Sequence, residues 1–511
     1  MYGCHLHVGE VRDSNRTEVW DPDGLSFAKA TLVTNTKVLL TLLGTSLFAG
    51  CDGSQIDETG EDPGTSEAVT GYATVIYQVW GTDSDPQYAD GLDANGQPLT
   101  GTHATYNPTP NLQTILNSTS PQLVVLKPLT AGAVLHVRAP LSVHGATHLQ
   151  GGLTAIAPVT DISQVTGTRS GYAVRLSGDN LSGLPYRNNY VLTLSGQDVS
   201  VLNLYFEGHL GAAAISANGA SNLIVRHIAV AGGWQGVMAV QNGAGVTISD
   251  VYADVLADPN QPANQVATGS SFGIWVKLVS TLLIEYCNTR ADAYYNFGPP
   301  HSVGGPKVFS HVALYSVHTA TIRHNNWYKS NDNALFATCV SNGAQHMTDC
   351  KLGGASAANR TTDLTLWDNR FQLARQSFFD IDHSDRVQIL SNTLDHSDGS
   401  GVSLSDSTYA TVRYNHIGAA CENLSDKLMT FYEGYIGGVG FQTGSRDSQV
   451  LDNTIDVPRC PYAAVDVYTV YPDEYGEVMR VNYDRNRWNA QTAFLGDTKP
   501  GRNTQGTNTH L

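Results

Sequence analysis

Residues 387–417 read VQILSNTLDHSDGSGVSLSDSTYATVRYNHI, and one short pattern occurs in them twice. ILSNTL starts at Ile389 and VRYNHI at Val412; each has an aliphatic residue, two variable positions, an asparagine and an apolar residue two further on. A repeat of about two dozen residues marks a solenoid, in which each repeat forms one coil and buries its apolar side chains by stacking on its neighbours. Aligned on this pattern, the chain gives ten coils, starting at Val201, Val225, Ile248, Ile284, Ile322, Leu366, Ile389, Val412, Val450 and Tyr483. Several intervals are 23 or 24 residues, and insertions of loop size lengthen the others.

The fourth position of the pattern narrows the architecture. It is Leu204, Ile228, Val251 and Cys287 in the first four coils, then Asn325, Asn369, Asn392, Asn415, Asn453 and Asn486 in the next six. Asparagines stacked at one turn can hydrogen-bond along the solenoid axis and satisfy turn backbone that a helix or sandwich would pair differently. This pattern resembles the right-handed parallel β-helix of the pectate lyase-like superfamily over roughly residues 120–490. The expected fold is therefore all-β, a single-stranded right-handed parallel β-helix of about ten or more coils with long loops walling one strand face. Residues 71–190 would form an N-terminal cap and the first coils, 191–490 the β-helix with its groove, and 491–511 a C-terminal tail.

Composition agrees. Fifty glycines against five methionines favour turns over helices. A net charge of −17 leaves no basic stripe for nucleic acid, and a polyanionic substrate would need a local Lys/Arg patch or bridging cations. Near the N-terminus, KVLLTLLGTSLFAGC (37–51) has a lysine, an apolar run too short to span a bilayer, and small residues before a cysteine. It resembles a bacterial lipoprotein signal, which implies a lipid on Cys51 and an envelope location anchored to the membrane. Residues 1–32 would then be a spurious extension ahead of a start at Val33, and 51–70 a flexible acidic tether. Cys421 and Cys460 fall six and seven residues after Asn415 and Asn453, at equivalent places on adjacent coils, and are expected to bridge. Cys339 and Cys350 could close an inserted loop, Cys287 reads as a buried thiol, and no CxxC spacing suggests a zinc site.

A second apolar strand precedes most repeats, and its outward residues should line one face. These are Trp275 and Lys277, then His311, Ala313 and Tyr315, then Phe336 and Thr338, then Asp380 and Asp382, then Ser403 and Ser405. Insertions at 254–270, 289–310, 339–362 and 418–436 would wall this face into a groove, bringing Tyr294, Tyr295, His301, Lys307, Tyr432 and Tyr435. The aromatic and imidazole groups suit sugar stacking and hydrogen bonding, while Arg375 and Arg386 are candidate carboxylate clamps.

The stretch SFFDIDHSD (377–385) carries the chemistry and leaves three readings open. It resembles the D-P-H-[DE] motif of mannuronan C5-epimerases and alginate lyase-type β-helices: Asp382 matches the first acid and Asp385 the last, with His383 at the proline and Ser384 at the histidine. That resemblance implies proton abstraction from a uronate polymer such as alginate or pectin, by β-elimination or C5-epimerisation. His383, Lys277, Tyr315 or Lys307 would be the acid or base, with Asp382 set against the substrate carboxyl. In the second reading Asp380 and Asp382, about 6.5–7 Å apart on one strand face, are the acid and base of an inverting glycoside hydrolase, with Asp332 as a third carboxylate. The GHG and RIK motifs of polygalacturonase-like β-helices are missing from the sequence. In the third, the chain is a surface adhesin or structural protein whose paired aspartates bind calcium or stay solvated. No cofactor other than calcium is suggested, and a monomer is expected.

Overall fold

The computed structural model describes residues 71–511 except 91–110, 154–170, 179–189, 208–212, 232–235, 255–270, 292–308, 341–349, 353, 355–356, 423–436, 443, 467–477 and 496–502. Cys51, the signal and the tether lie outside the described residues, as do Tyr294, Tyr295, His301, Lys307, Tyr432 and Tyr435. The chain winds as a parallel β-helix whose coils each contribute a strand to three long parallel sheets. Sheet A stacks Ser271–Lys277, Phe309–Tyr315, Leu335–Thr338, Phe379–Asp382, Val402–Ser405, Gly437–Gln442 and Tyr462–Asp466. Sheet B stacks Ser280–Glu285, His318–Arg323, Thr361–Trp367, Gln388–Leu390, Thr411–Arg413, Arg446–Leu451 and Met479–Asp484. Sheet C follows each sheet B strand, from Asn288–Arg290 through Thr393–Ser397 to Arg487–Asn489.

The interior is built by register. The first residue of the repeat gives one continuous file, Ile284, Ile322, Leu366, Ile389, Val412, Val450 and Tyr483, paired strand to strand and buried. The apolar residue five positions later gives a second file in sheet C, including Trp327, Phe371, Leu394, Ile417 and Ile455. Each such side chain contributes about 1.5–3 kcal/mol by leaving water. Because a coil offers its apolar edge only to its neighbours, the core is one continuous column along the axis.

The asparagine ladder forms along that column, between sheets B and C. Asn325, Asn369, Asn392, Asn415, Asn453 and Asn486 are all buried, and each donates from Nδ2 to Oδ1 of the next at 2.9–3.0 Å. The accepting Oδ1 also takes the backbone N–H of the preceding ladder residue, and the second Nδ2 hydrogen goes to a carbonyl one coil back. Cys287, in the ladder position of the coil before, starts the chain by donating its N–H to Asn325 Oδ1 at 2.9 Å. It is a buried free thiol, and burial pushes its pKa well up. The residue just before each ladder position is left-handed in all ten coils, among them Tyr286, His324, Asp368, Ser391 and Tyr414 at φ 51–59°. This sharp turn aims the following asparagine inward.

Two expectations change at the C-terminus. The tail expected over 491–511 instead continues the coils: Thr492–Leu495 pairs with Tyr462–Asp466, Thr504–Gln505 with Met479–Asp484, and Thr509–His510 with Arg487–Asn489. Asn508 extends the ladder, accepting Asn486 Nδ2 at 3.0 Å. Gln505 and His510 stand where the repeat has apolar residues, and both are exposed, so the hydrophobic pattern did not mark this coil. Both expected disulfides are present, Cys339–Cys350 and Cys421–Cys460, with Cα–Cα distances of 6.3 and 5.1 Å.

Candidate functional site on the face of sheet A

Sheet A presents its even and odd positions to opposite sides. Phe379 and Ile381 enter the core, whereas Asp380 and Asp382 are half-buried on the outer face. The register runs Trp275, Ala313, Phe336, Asp380, Ser403 along one outward row and Lys277, Tyr315, Thr338 along the next; that row resumes with Asp382 and Ser405. One end of the face is aromatic: Tyr315 lies 6.0 Å from Trp275 and 5.9 Å from Phe336 between ring centroids. The other end is carboxylate and hydroxyl. Neighbouring coils are about 4.8 Å apart, so Tyr315 and Asp382 sit two coil steps from each other on one surface.

Asp332 joins this face from the turn leading into the Leu335–Thr338 strand. It is buried and accepts a hydrogen bond from Ser310 Oγ at 2.9 Å. Burial pushes its carboxyl up to about 7, the charge of Asp380 pushes the same way, and the Ser310 bond opposes both. The Tyr315 phenol is driven well above its ordinary value, first by burial and then by Asp332. The structure thus groups Tyr315, Asp332 and Asp380. Ser310 escaped the sequence reading because it belongs to a different coil, 22 residues from Asp332.

Several expected roles change. His311 is fully buried, its ring stacked on Trp327 at 6.2 Å and edge-on to Phe371, so it cannot meet a substrate on the face. Its Nε2 faces the Lys329 carbonyl at 3.0 Å and must donate, while Nδ1 takes the Thr289 hydroxyl at 2.6 Å; burial lowers its pKa to about 3. His383 does not stand beside Asp382 as a base. Its left-handed backbone, φ 47°, ends the strand and turns the ring under the face, where Nδ1 pairs with Asp406 Oδ2 at 3.0 Å. Asp385 is likewise withdrawn, held by Arg360 Nε and Nη2 and by Thr408.

Arg360, which no sequence signal singled out, is the hub of this buried cluster. Its side chain is 1 % exposed and also reaches Asp406 Oδ2 at 2.5 Å, the Asp406 and Ser384 carbonyls, and the Cys350 carbonyl at 3.0 Å. It therefore ties the disulfide-closed insertion to the segment that follows Asp382. The two expected carboxylate clamps are already engaged within the protein. Arg386 makes a two-pronged pair with Asp363, whose pKa that bond lowers, and Arg375 pairs with Asp398 at 3.1 Å. Lys277 is half-buried on the face in the row of Tyr315. Among the described residues no group of three or more His, Cys, Asp or Glu is arranged to hold a metal ion, so the calcium expectation has no such site there.

No family model matches the chain, and no curated protein matches it. Solved structures with a similar coil architecture include the A-module of Azotobacter vinelandii mannuronan C-5 epimerase AlgE6, 10 % identical over 78 % of this chain and 93 % of that one, with a TM-score of 0.44. The Streptococcus pneumoniae surface adhesin PfbA is 10 % identical over 78 % and 88 %, with a TM-score of 0.42. The tailspike gp49 of Acinetobacter baumannii bacteriophage Fri1, a capsular polysaccharide depolymerase, is 10 % identical over 76 % and 56 %, with a TM-score of 0.33. These are likenesses of coil architecture across proteins of different activity.

Proposed function

We propose that the chain is an extracytoplasmic enzyme that hydrolyses a polysaccharide laid along sheet A, with Asp380 as proton donor and Asp382 as the base that activates water. The observation that carries this reading is Asp332, a buried carboxyl raised to about 7 beside the half-buried Asp380. Two close carboxyl groups resist double ionisation, so Asp332 and Asp380 hold one proton between them near neutral pH, and that shared proton is the one Asp380 delivers. Asp382, two residues along the same strand face, stands about 6.5–7 Å away, which leaves room for a water on the far side of the bond. Phe336, half-buried beside the buried Trp275 and Tyr315, supplies sugar-stacking surface up the face. The acidic chain and the engaged Arg375 and Arg386 favour a neutral or weakly charged glycan. The two disulfides suit an oxidising compartment, and lipidation of Cys51 would place the enzyme on the cell envelope.

A second reading, β-elimination or C5-epimerisation of a uronate polymer such as alginate or pectin, is favoured by Lys277 in the same outward row as Tyr315. Lys277 would then take the proton alpha to the carboxyl, with Asp382 against that carboxyl. A polysaccharide panel assayed for reducing ends, for the ultraviolet absorbance of an unsaturated uronate, and for C5 inversion separates the two. Hydrolysis predicts reducing ends without absorbance, abolished by Asp380→Asn and by Asp382→Asn alike. Absorbance or inversion that survives Asp380→Asn but not Lys277→Met would replace it by the second reading. No turnover of any glycan would sink both and leave an adhesin.

A further inference from the structure

Away from sheet A, the turn between sheets B and C carries a ridge formed by the left-handed residue of each coil and the residue just before it. We infer that this ridge is a second glycan-binding site, independent of the chemistry assigned to sheet A, that takes a neutral oligosaccharide strand on Tyr286, Trp367 and Tyr414. Four aromatic side chains stand more than a third exposed among the described residues: Tyr286 at 47 %, Trp367 at 39 %, Tyr409 at 60 % and Tyr414 at 54 %. All but Tyr409 are on this ridge. The interior does not need an aromatic here, because other coils place Asp368, Ser391, Asp452 or Arg485 at the same left-handed position. A bulky ring at positive φ is unfavourable in itself, and a half-exposed one gains little from burial.

The rings are built into a surface rather than left loose. Tyr286 stacks on His324 at 5.1 Å and 13°, His324 meets Trp367 edge-on at 4.8 Å, and His324 Nδ1 is fixed by Asp368 Oδ2 at 2.9 Å. Three consecutive coils thus share one aromatic platform. Further along, the Arg413 guanidinium lies 4.3 Å over the Tyr414 ring and is itself held by Asp452 at 2.8 Å. Tyr286 and Tyr414 are four coil steps apart, about 19 Å at the strand spacing, a length that admits a short run of sugars. Bordering the platform, the Glu285–Arg323 pair at 2.7 Å and Asp368 offer acceptors and donors at its edge. Apolar ring faces with a polar rim match the two surfaces of a pyranose, its C–H face and its equatorial hydroxyls. A protein or lipid partner would be expected to meet a wider apolar patch without this alternation of rings and charged pairs.

The test uses the full chain and the neutral probes cellohexaose, mannohexaose and xylohexaose, measured by titration calorimetry and affinity electrophoresis. At least one probe should bind, and Trp367→Ala or Tyr286→Ala should weaken it about tenfold, the loss of one stacking contact. Tyr414→Ala should weaken the hexamer and leave the matching trimer unchanged, since only the longer strand spans the ridge. The Asp380→Asn, Asp382→Asn double variant should bind the ridge normally, so failure of catalysis and failure of this site are read separately. Unfolding midpoints of the ridge variants should match the parent, because the rings are exposed. Binding that is unchanged in all three ridge variants, or no binding of any probe, overturns the inference.

Discussion

Replacing Asn392 by alanine removes four hydrogen bonds from the middle of the ladder. Its Oδ1 accepts the backbone N–H and the Nδ2 of Asn369, each at 3.0 Å, and its Nδ2 donates to the Leu366 carbonyl and to Asn415 Oδ1, each at 2.9 Å. Two neighbours keep a partner: Asn369 Nδ2 still reaches the Ile322 carbonyl, and Asn415 Oδ1 still accepts the Asn392 N–H. The backbone N–H of Asn369 does not, and Asn369 is fully buried. One orphaned buried donor costs about 1–3 kcal/mol, so the expected loss is about 2 kcal/mol with a smaller addition for the cavity. Leucine should do no better, because it fills the space without supplying an acceptor. Asn508→Ala is the internal control. Asn508 is half-buried between exposed residues, where water can reach the freed groups, so its loss should stay below about 1 kcal/mol. Urea unfolding followed by circular dichroism measures all three. Midpoints for Asn392→Ala and Asn392→Leu that coincide with the parent would refute the role of the ladder.

Three further outcomes follow from buried charge and cross-links. The Asp332 carboxyl is raised from 3.8 to about 7, so the unfolded chain releases its proton first; its stabilisation, on the order of 4 kcal/mol, is present below pH 4 and is lost as pH rises to about 7, and Asp332→Asn should flatten that slope in urea midpoints taken across this range. Arg360→Met leaves the buried Asp406 and the half-buried Asp385 without their cation and should cost about 3–5 kcal/mol in the same unfolding assay, with Arg360→Lys recovering only part. Breaking Cys421–Cys460 by a double serine variant frees a loop of 39 residues' separation and should cost about 4 kcal/mol on chain entropy, more than the about 3 kcal/mol for Cys339–Cys350 with a separation of 11.

The fold was legible because solenoid stacking forces one residue type to recur at one place. The file from Ile284 to Tyr483 and the asparagines from Asn325 to Asn486 each announced a coil, and the coil without apolar marks, at Asn508, was the one overlooked. The face of sheet A was legible for the same reason: alternation alone placed Phe379 and Ile381 inward and Asp380 and Asp382 outward. Turns broke the rule. His383 sits one residue past the strand, and a left-handed φ that alternation does not anticipate sends it to Asp406 instead of the face. His311 keeps the outward parity of its strand, yet its ring is buried against Trp327 and Phe371. Arg360 and Ser310 act on residues of other coils, 25 and 22 positions away, and nothing local distinguishes either from an ordinary surface residue.

The ladder bonds have a consequence for how this molecule can change over time. Asn325 and Asn369 are 44 residues apart, Asn369 and Asn392 23, Asn415 and Asn453 38, and Asn453 and Asn486 33, yet the amide-to-amide distance is 2.9–3.0 Å in every case. Register between coils is thus indifferent to how much chain intervenes, and closing a longer excursion adds only about 0.6 kcal/mol per doubling of its length. The excursions can be lengthened, shortened or rewritten without the stack sensing it, so the scaffold can inherit new binding walls while its axis is conserved amide by amide.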